Sequence, residues 1–274
     1  PLLRSLVVDE ARASKTMVDI LQGYGSVPDP RLTLILSKSQ AWVQGKDGSE
    51  EWKGVPNGLP VTELSLPEYD NNHNSCIWGY MWGYDWNSAE KGDNISKPQT
   101  DADFTPLGLM NYSEVCFLKA EAALRGWQGA GDAKTNYENG IHASFEEMRA
   151  NAPKDSYSKS NDDKYISEGN VAWNNADSFE AKLEKIITQK WIGIYPNSEE
   201  AWAEFRRTGY PKLNPVKQSL EPTINSKNGE FIKKLRYVDN ELSNNKEYAT
   251  DPTLNGGQGD GLSVRVWWDT ARYK

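Results

Sequence analysis

Between residues 111 and 208 apolar side chains recur at intervals of three and four, whereas 37–110 and 212–274 are rich in Gly, Pro, Asn and Asp with little period. The first pattern predicts helices buried along one face, the second long connecting segments. Asn111 or Ser113 can cap a helix with Glu114 in its first turn; Val115, Leu118 and Ala122, joined by Phe117 and Leu124, form its apolar stripe until Gly126. Asp132 caps a partner with Tyr137, Ile141, Phe145 and Met148 on one face. A second pair opens near Ser178, runs through Phe179, Leu183, Ile186, Ile187, Trp191 and Ile194, turns at Pro196-Asn197-Ser198, and continues through Trp202 and Phe205 to Gly209. Two helix hairpins are thus expected at about 111–149 and 178–208, separated by a polar, exposed excursion over 152–175. Upstream, Met17, Val18, Ile20 and Leu21 predict a helix starting at Ser14 and stopping at Gly23; 31–36 reads as a short strand, as does 262–268.

The first hairpin, Ala120-Glu121-Ala122-Ala123-Leu124 with Gly126-Trp127, Ala133 and Tyr137, resembles a tetratricopeptide repeat, in which small residues let two helices approach and an aromatic fills the gap. The fold class expected is therefore mainly α, with tetratricopeptide-like helix hairpins, a long loop-rich face and a few short strands. A chain of 274 residues has room for such a core. Net charge is −8 and the 31 Lys and Arg are scattered, so the footprint of a nucleic-acid binder is absent. The longest apolar runs, such as 34–36, fall far short of the roughly 18 residues of a membrane span, and mean hydropathy is −0.75. No export signal is read at the N-terminus. Cys76 and Cys116 are too few for a disulfide framework, and Cys116 lies in a helical apolar pattern where a buried thiol is expected.

Composition changes the picture at one point: 11 Trp and 13 Tyr outnumber 6 Phe, a bias toward rings with a polar tip or a broad face. They concentrate in Trp78-Gly79-Tyr80-Met81-Trp82-Gly83-Tyr84-Asp85-Trp86. In extended form, the period of two places Trp78, Tyr80, Trp82, Tyr84 and Trp86 on one face beside Asn87. A row of rings flanked by amides and carboxylates suits sugars, whose C–H faces stack and whose hydroxyls hydrogen-bond; the same rings could equally plug the core beneath a loop. Trp42 and Trp52 bracket Gln44-Gly45-Lys46-Asp47-Gly48, a turn signal for a hairpin with a Trp on either side, and are secondary ligand candidates.

Catalytic chemistry finds little support. His142 points outward on its helix, His73 lies in the polar run Asp70-Asn71-Asn72-His73-Asn74, and both read as solvated. No nucleophile elbow, Walker loop, HExxH or dinucleotide fingerprint occurs, and the Gly256–Gly259 stretch lacks the strand-to-helix setting of a phosphate loop. The run at 70–74 lacks the Gly and distal Glu of a calcium loop. Neither a metal nor a cofactor is expected. A glycosidase pair of carboxylates, assembled only by the fold, stays open.

Several segments together resemble the SusD/RagB family of surface lipoproteins: Asn111-Tyr112-Ser113-Glu114-Val115 through Leu124-Arg125-Gly126-Trp127; Trp202-Ala203-Glu204-Phe205-Arg206-Arg207-Thr208-Gly209-Tyr210-Pro211; Leu235-Arg236-Tyr237 with Glu241; and Arg265-Val266-Trp267-Trp268-Asp269. Ser14-Lys15-Thr16-Met17-Val18-Asp19, Asp29-Pro30-Arg31-Leu32 and Gly54-Val55-Pro56-Asn57-Gly58-Leu59 are similar to the middle of such proteins. The resemblance implies a helical protein on the outside of a Bacteroidota outer membrane that binds a nutrient, commonly a glycan, without cleaving it. Its implied partner is a SusC-like TonB-dependent transporter, over whose barrel it acts as a lid. It also implies that residues 1–274 are the C-terminal portion of a longer protein, membrane-associated only through a lipid anchor absent from this chain. Two other functions remain in view: a helix-repeat adaptor or lid whose only ligand is the barrel, and a carbohydrate-active hydrolase.

Overall fold

A computed structural model describes residues 12–70, 72–77, 108–150, 152, 157–224 and 230–269. Helix α1, Lys15–Gly23, starts where expected because Ser14 Oγ accepts from the Met17 amide at 3.2 Å. It buries Met17, Val18, Ile20 and Leu21. The segment 31–36 is not a strand. It forms a single helical turn, Leu32–Ile35, with Leu34, Ile35 and Leu36 wholly buried. A run buried on every side carries no period, so its sequence does not separate a strand from a turn of helix. Arg31 O accepts from the Leu34 and Ile35 amides, closing the turn.

The predicted hairpins are present: α2 (Tyr112–Leu124), α3 (Ala133–Arg149), α4 (Phe179–Gly193) and α5 (Ser198–Thr208). Asp132, Ser178 and Asn197 cap α3, α4 and α5 through their side-chain oxygens. Gly209, at φ 82°, closes α5 in the left-handed region that suits glycine. Helix α2 differs from expectation. The Asn111 side chain makes no capping bond. Instead Glu147 of α3 accepts from Ser113, from the amide at 3.1 Å and from Oγ at 2.5 Å. Its buried face is Ser113, Cys116, Phe117, Ala120 and Glu121, while the predicted stripe residue Leu118 is exposed and Val115, Ala122 and Leu124 are half-buried. Hydrophobicity misreads this face because helix approach, not apolarity, selects it: a Cβ at Gly140 of α3 would lie 2.7 Å from the Phe117 ring. Gly193 of α4 meets the same ring, so Phe117 wedges into two backbones. Tyr137, Ile141, Phe145 and Met148 are buried as predicted, and Tyr137 OH donates to Val171 O at 2.8 Å.

The polar excursion at 152–175 is only partly exposed. It contains a short helix, Asp162–Ser167, whose Tyr165 and Ile166 join Val171 in the buried core with Phe117, Tyr137, Phe145 and Leu183. Those apolar positions are too sparse to show a period. Arg149 pins this helix, donating to both carboxylate oxygens of Asp162 at 2.6 and 2.7 Å. The segment 262–268 is not a strand either: Leu262 O accepts from Lys233 N, but turn bonds Val264 N to Gly261 O and Asp269 N to Val266 O fold the chain back. No sheet occurs among the described residues, only isolated bridges joining Arg12 to Cys76 and Ser14 to Val55. The architecture is mainly α, built on helix hairpins with a loop-rich remainder. Among the described residues no helix is long and apolar enough to cross a membrane.

Candidate functional site

Two networks fix the frame before any ligand surface is reached. Arg31 is fully buried: Nε and Nη2 donate to Asp29 at 2.8 and 2.6 Å, Nη1 to Ser144 Oγ at 2.8 Å, and Nη2 to Gln189 Oε1 at 2.6 Å. Tyr165 OH donates to Asp29 at 2.6 Å and accepts from Gln189 Nε2 at 2.9 Å. Burial alone would lower the Arg31 pKa, but the Asp29 carboxylate outweighs it and holds the guanidinium charged. The Asp-Pro-Arg segment therefore bolts the N-terminal part to α3, α4 and the 162–167 helix. In the second network Arg207 donates to both oxygens of Glu121 at 2.7 Å and also to Glu204. Burial pushes the Glu121 carboxyl up, yet Arg207 and Arg125 bring it below its ordinary value. A carboxylate so held is a poor proton donor, unlike the raised acid a glycosidase uses. Among the described residues no group of three His, Cys, Asp or Glu could hold a metal ion.

The ring row of Trp78, Tyr80, Trp82, Tyr84 and Trp86, with Asn87, lies outside the described residues. Trp42 and Trp52 are described, and they do not flank a β-hairpin. Trp42 sits on a single helical turn, Gln40–Val43, started by Ser39, whose Oγ also accepts from the Trp42 amide. The loop closes through Lys46 N to Ala41 O and Ser39 N to Glu51 O, with Gly45 and Gly48 at positive φ. Local capping by Ser39 thus wins over the extended pairing that the turn residues suggested. Trp42 is 40% exposed, with Lys38 Nζ 4.7 Å from its ring centroid. Trp52 is half-buried and packs on the α1 core. The two indoles serve different surfaces. His142 is exposed as predicted; His73 is half-buried, with Nδ1 2.7 Å from Asp70.

On α5 the indole Nε1 of Trp202 donates to Ile232 O at 2.9 Å. Arg206 lies 3.7 Å from the Trp202 ring and 4.8 Å from the Trp268 ring, a cation sandwiched by two indoles. Next to it Lys233 sits 4.8 Å from Phe205 and 3.9 Å from Asp269, which also accepts from Arg265. Burial, reinforced by Arg265 and Arg206 against the pull of Asp269, lowers the Lys233 pKa to about 8. The Trp-Trp-Asp stretch is thus split: Trp268 packs on the cation, Asp269 is buried, and Trp267 is 92% exposed.

The same C-terminal region holds a concavity of about 360 Å³ that sequence reasoning did not single out as a site. Tyr237, Glu241, Asn245, Tyr248, Asp251 and Thr253 line it. Helices Asp239–Asn244 and Lys246–Ala249 meet at Asn245 and contribute Glu241, Asn245 and Tyr248 to this lining, while Tyr237, Asp251 and Thr253 come from the segments on either side. No periodicity in the sequence marks these positions, because the helix breaks at Asn245 and Tyr237, Asp251 and Thr253 lie outside both helices.

A search of curated proteins finds no match. Solved structures do match. A chitin-binding SusD homologue from Flavobacterium johnsoniae shares 32% identity at a TM-score of 0.65, covering 94% of this chain and 49% of that one. SusD homologues from Bacteroides vulgatus (28%, TM-score 0.67, 96% and 50% covered) and Bacteroides ovatus (29%, TM-score 0.66, 94% and 52%) are also similar. The chain spans about half the length of these relatives. The family model for SusD-like proteins, the SusD and RagB outer membrane lipoproteins, matches residues 3–269. With nearly every residue inside that match, and with solved members similar over 94–96% of its length, this chain belongs to the SusD-like family.

Proposed function

We propose that this protein is a non-catalytic glycan-binding subunit that captures a nutrient at the outer-membrane surface for a SusC-like TonB-dependent transporter. The observation that carries the reading is family membership together with 32% identity to a chitin-binding SusD homologue over 94% of the chain. Chito-oligosaccharides are therefore the first ligands to test. The chemistry available supports binding rather than bond cleavage: exposed rings such as Trp42 and Trp267 offer stacking faces, and Glu121 and Glu204 are tied to Arg207. Capture by stacking needs no activated nucleophile, and movement of the subunit over a barrel would couple binding to uptake.

Isothermal titration of chitohexaose, maltohexaose and xylohexaose into the chain tests this. Saturable binding of one class, with no new reducing ends released after prolonged incubation, is the expected result. Release of reducing ends from a bound oligosaccharide would make the protein a hydrolase; no binding of any class would remove glycan capture from this chain. Co-purification with a SusC-like barrel tests the partnership separately.

A further inference from the structure

We propose that the concavity between Tyr237 and Tyr248 is a subsite for one neutral sugar residue; this rests on the glycan-capture reading above. Its volume, about 360 Å³, is at the small end of the ~300–1,000 Å³ typical of small-molecule sites, which suits one sugar ring rather than a chain of them. Tyr237 and Tyr248 are 41% and 70% exposed, and their hydroxyls make no hydrogen bond to the described residues. Tyr237 is nonetheless held in place. Its amide donates to Asp260 Oδ2 at 2.9 Å, and Lys234, itself paired with Asp260, lies 5.1 Å from its ring centroid. A ring anchored through its backbone and open at its tip is a ready platform for a sugar C–H face.

The polar groups are arranged as acceptors. Asn245 Nδ2 donates to Glu241 Oε1 at 2.5 Å, which fixes the amide and leaves Glu241 Oε2 for a hydroxyl. Asp251 Oδ1 takes the Thr253 amide and hydroxyl, both at 2.6 Å, leaving Oδ2. The Thr253 hydroxyl holds the Asp251 carboxyl below its ordinary value, so it stays an acceptor at neutral pH. Two carboxylates facing one cavity attract hydroxyl donors and repel an acidic sugar, which makes the ligand neutral. Ala249 and Leu254 supply apolar floor.

Methyl NMR of the labelled chain during titration with chitotriose reads the site directly, through Ala249, Thr253 and Leu254. Saturable shifts at these methyls, and about tenfold weaker binding by Tyr248→Ala with an unchanged melting temperature, are expected. Tyr248→Phe, keeping the stacking face, should retain most of the affinity. If the unaltered chain binds chitohexaose but these methyls do not shift and Tyr248→Ala binds equally, the subsite is overturned while glycan capture stands. If galacturonate oligomers bind there better than chitotriose, the neutral ligand is wrong. No oligosaccharide binding by the unaltered chain overturns both.

Discussion

The Arg31 hub and the Tyr237–Tyr248 concavity draw on nearly the same chemistry and use it in opposite ways. Each combines tyrosine, carboxylate, amide and hydroxyl side chains. In the hub Asp29, Gln189 and Ser144 close on Arg31 with contacts of 2.6–2.8 Å, and the wholly buried Tyr165 bridges Asp29 and Gln189 at 2.6 and 2.9 Å. Burial and the adjoining Asp29 charge push the Tyr165 pKa well above its ordinary value. In the concavity both tyrosines are exposed, and the bonds of Glu241 and Asp251 engage one oxygen of each carboxylate. Residue type alone does not distinguish a latch from a binding surface; the state of satisfaction of each polar atom does.

The comparison predicts its own largest break. Arg31→Met should cost about 3–5 kcal/mol in urea unfolding, because it leaves the Asp29 carboxylate buried without its cation. Adding Asp29→Asn should recover part of the loss. A cost below about 1 kcal/mol would mean that the hub does not latch the N-terminal part to the helices. A smaller effect separates the two tyrosines. Tyr165→Phe strips a hydroxyl that bridges Asp29 and Gln189 and should cost about 1–3 kcal/mol, whereas Tyr248→Phe should stay within about 0.5 kcal/mol. Equal costs would erase the distinction.

Much of this fold is legible in the sequence, for identifiable reasons. Helices α3, α4 and α5 announce themselves because Asp132, Ser178 and Asn197 cap them and their apolar residues share a face. Helix α2 yields its existence but not its face, since Ser113 and Glu121 are buried by partners far along the chain, Glu147 and Arg207. Tyr165 is hidden in a polar stretch for the same reason: its neighbours in space come from residues 29, 31 and 189. The segments at 31–36 and 262–268 read as strands because a short apolar run does not reveal whether a pairing strand exists. Of the candidate ligand residues, Trp42 and Trp52 are legible as residues, whereas the exposure of one and the packing of the other on the core are not. The Tyr237–Tyr248 concavity needed the break at Asn245, which no periodicity encodes.

The smallest predicted effect sharpens the contrast between buried cations. Arg31 has a carboxylate at 2.6 Å and its pKa is raised, whereas Lys233, with Asp269 at 3.9 Å, is lowered to about 8 by burial. The ordinary lysine value, 10.5, applies once the chain unfolds. Between about pH 8 and 10.5 the unfolded state therefore binds more protons than the folded one, and stability rises with pH across that window. Below it, Lys233 is charged in both states and the folded protein bears the cost of burying the ammonium. Tyr24, pushed up to about 12 by burial, acts in the opposite sense, but only as pH passes the ordinary tyrosine value of 10.0. Thermal melts from pH 7.5 to 9.5 isolate the lysine. A rise of about 2–4 °C, equivalent to about 1 kcal/mol, is expected in the unaltered chain and should be absent in Lys233→Met. The same rise in both proteins would place the titrating group elsewhere and make Lys233 as well compensated as Arg31.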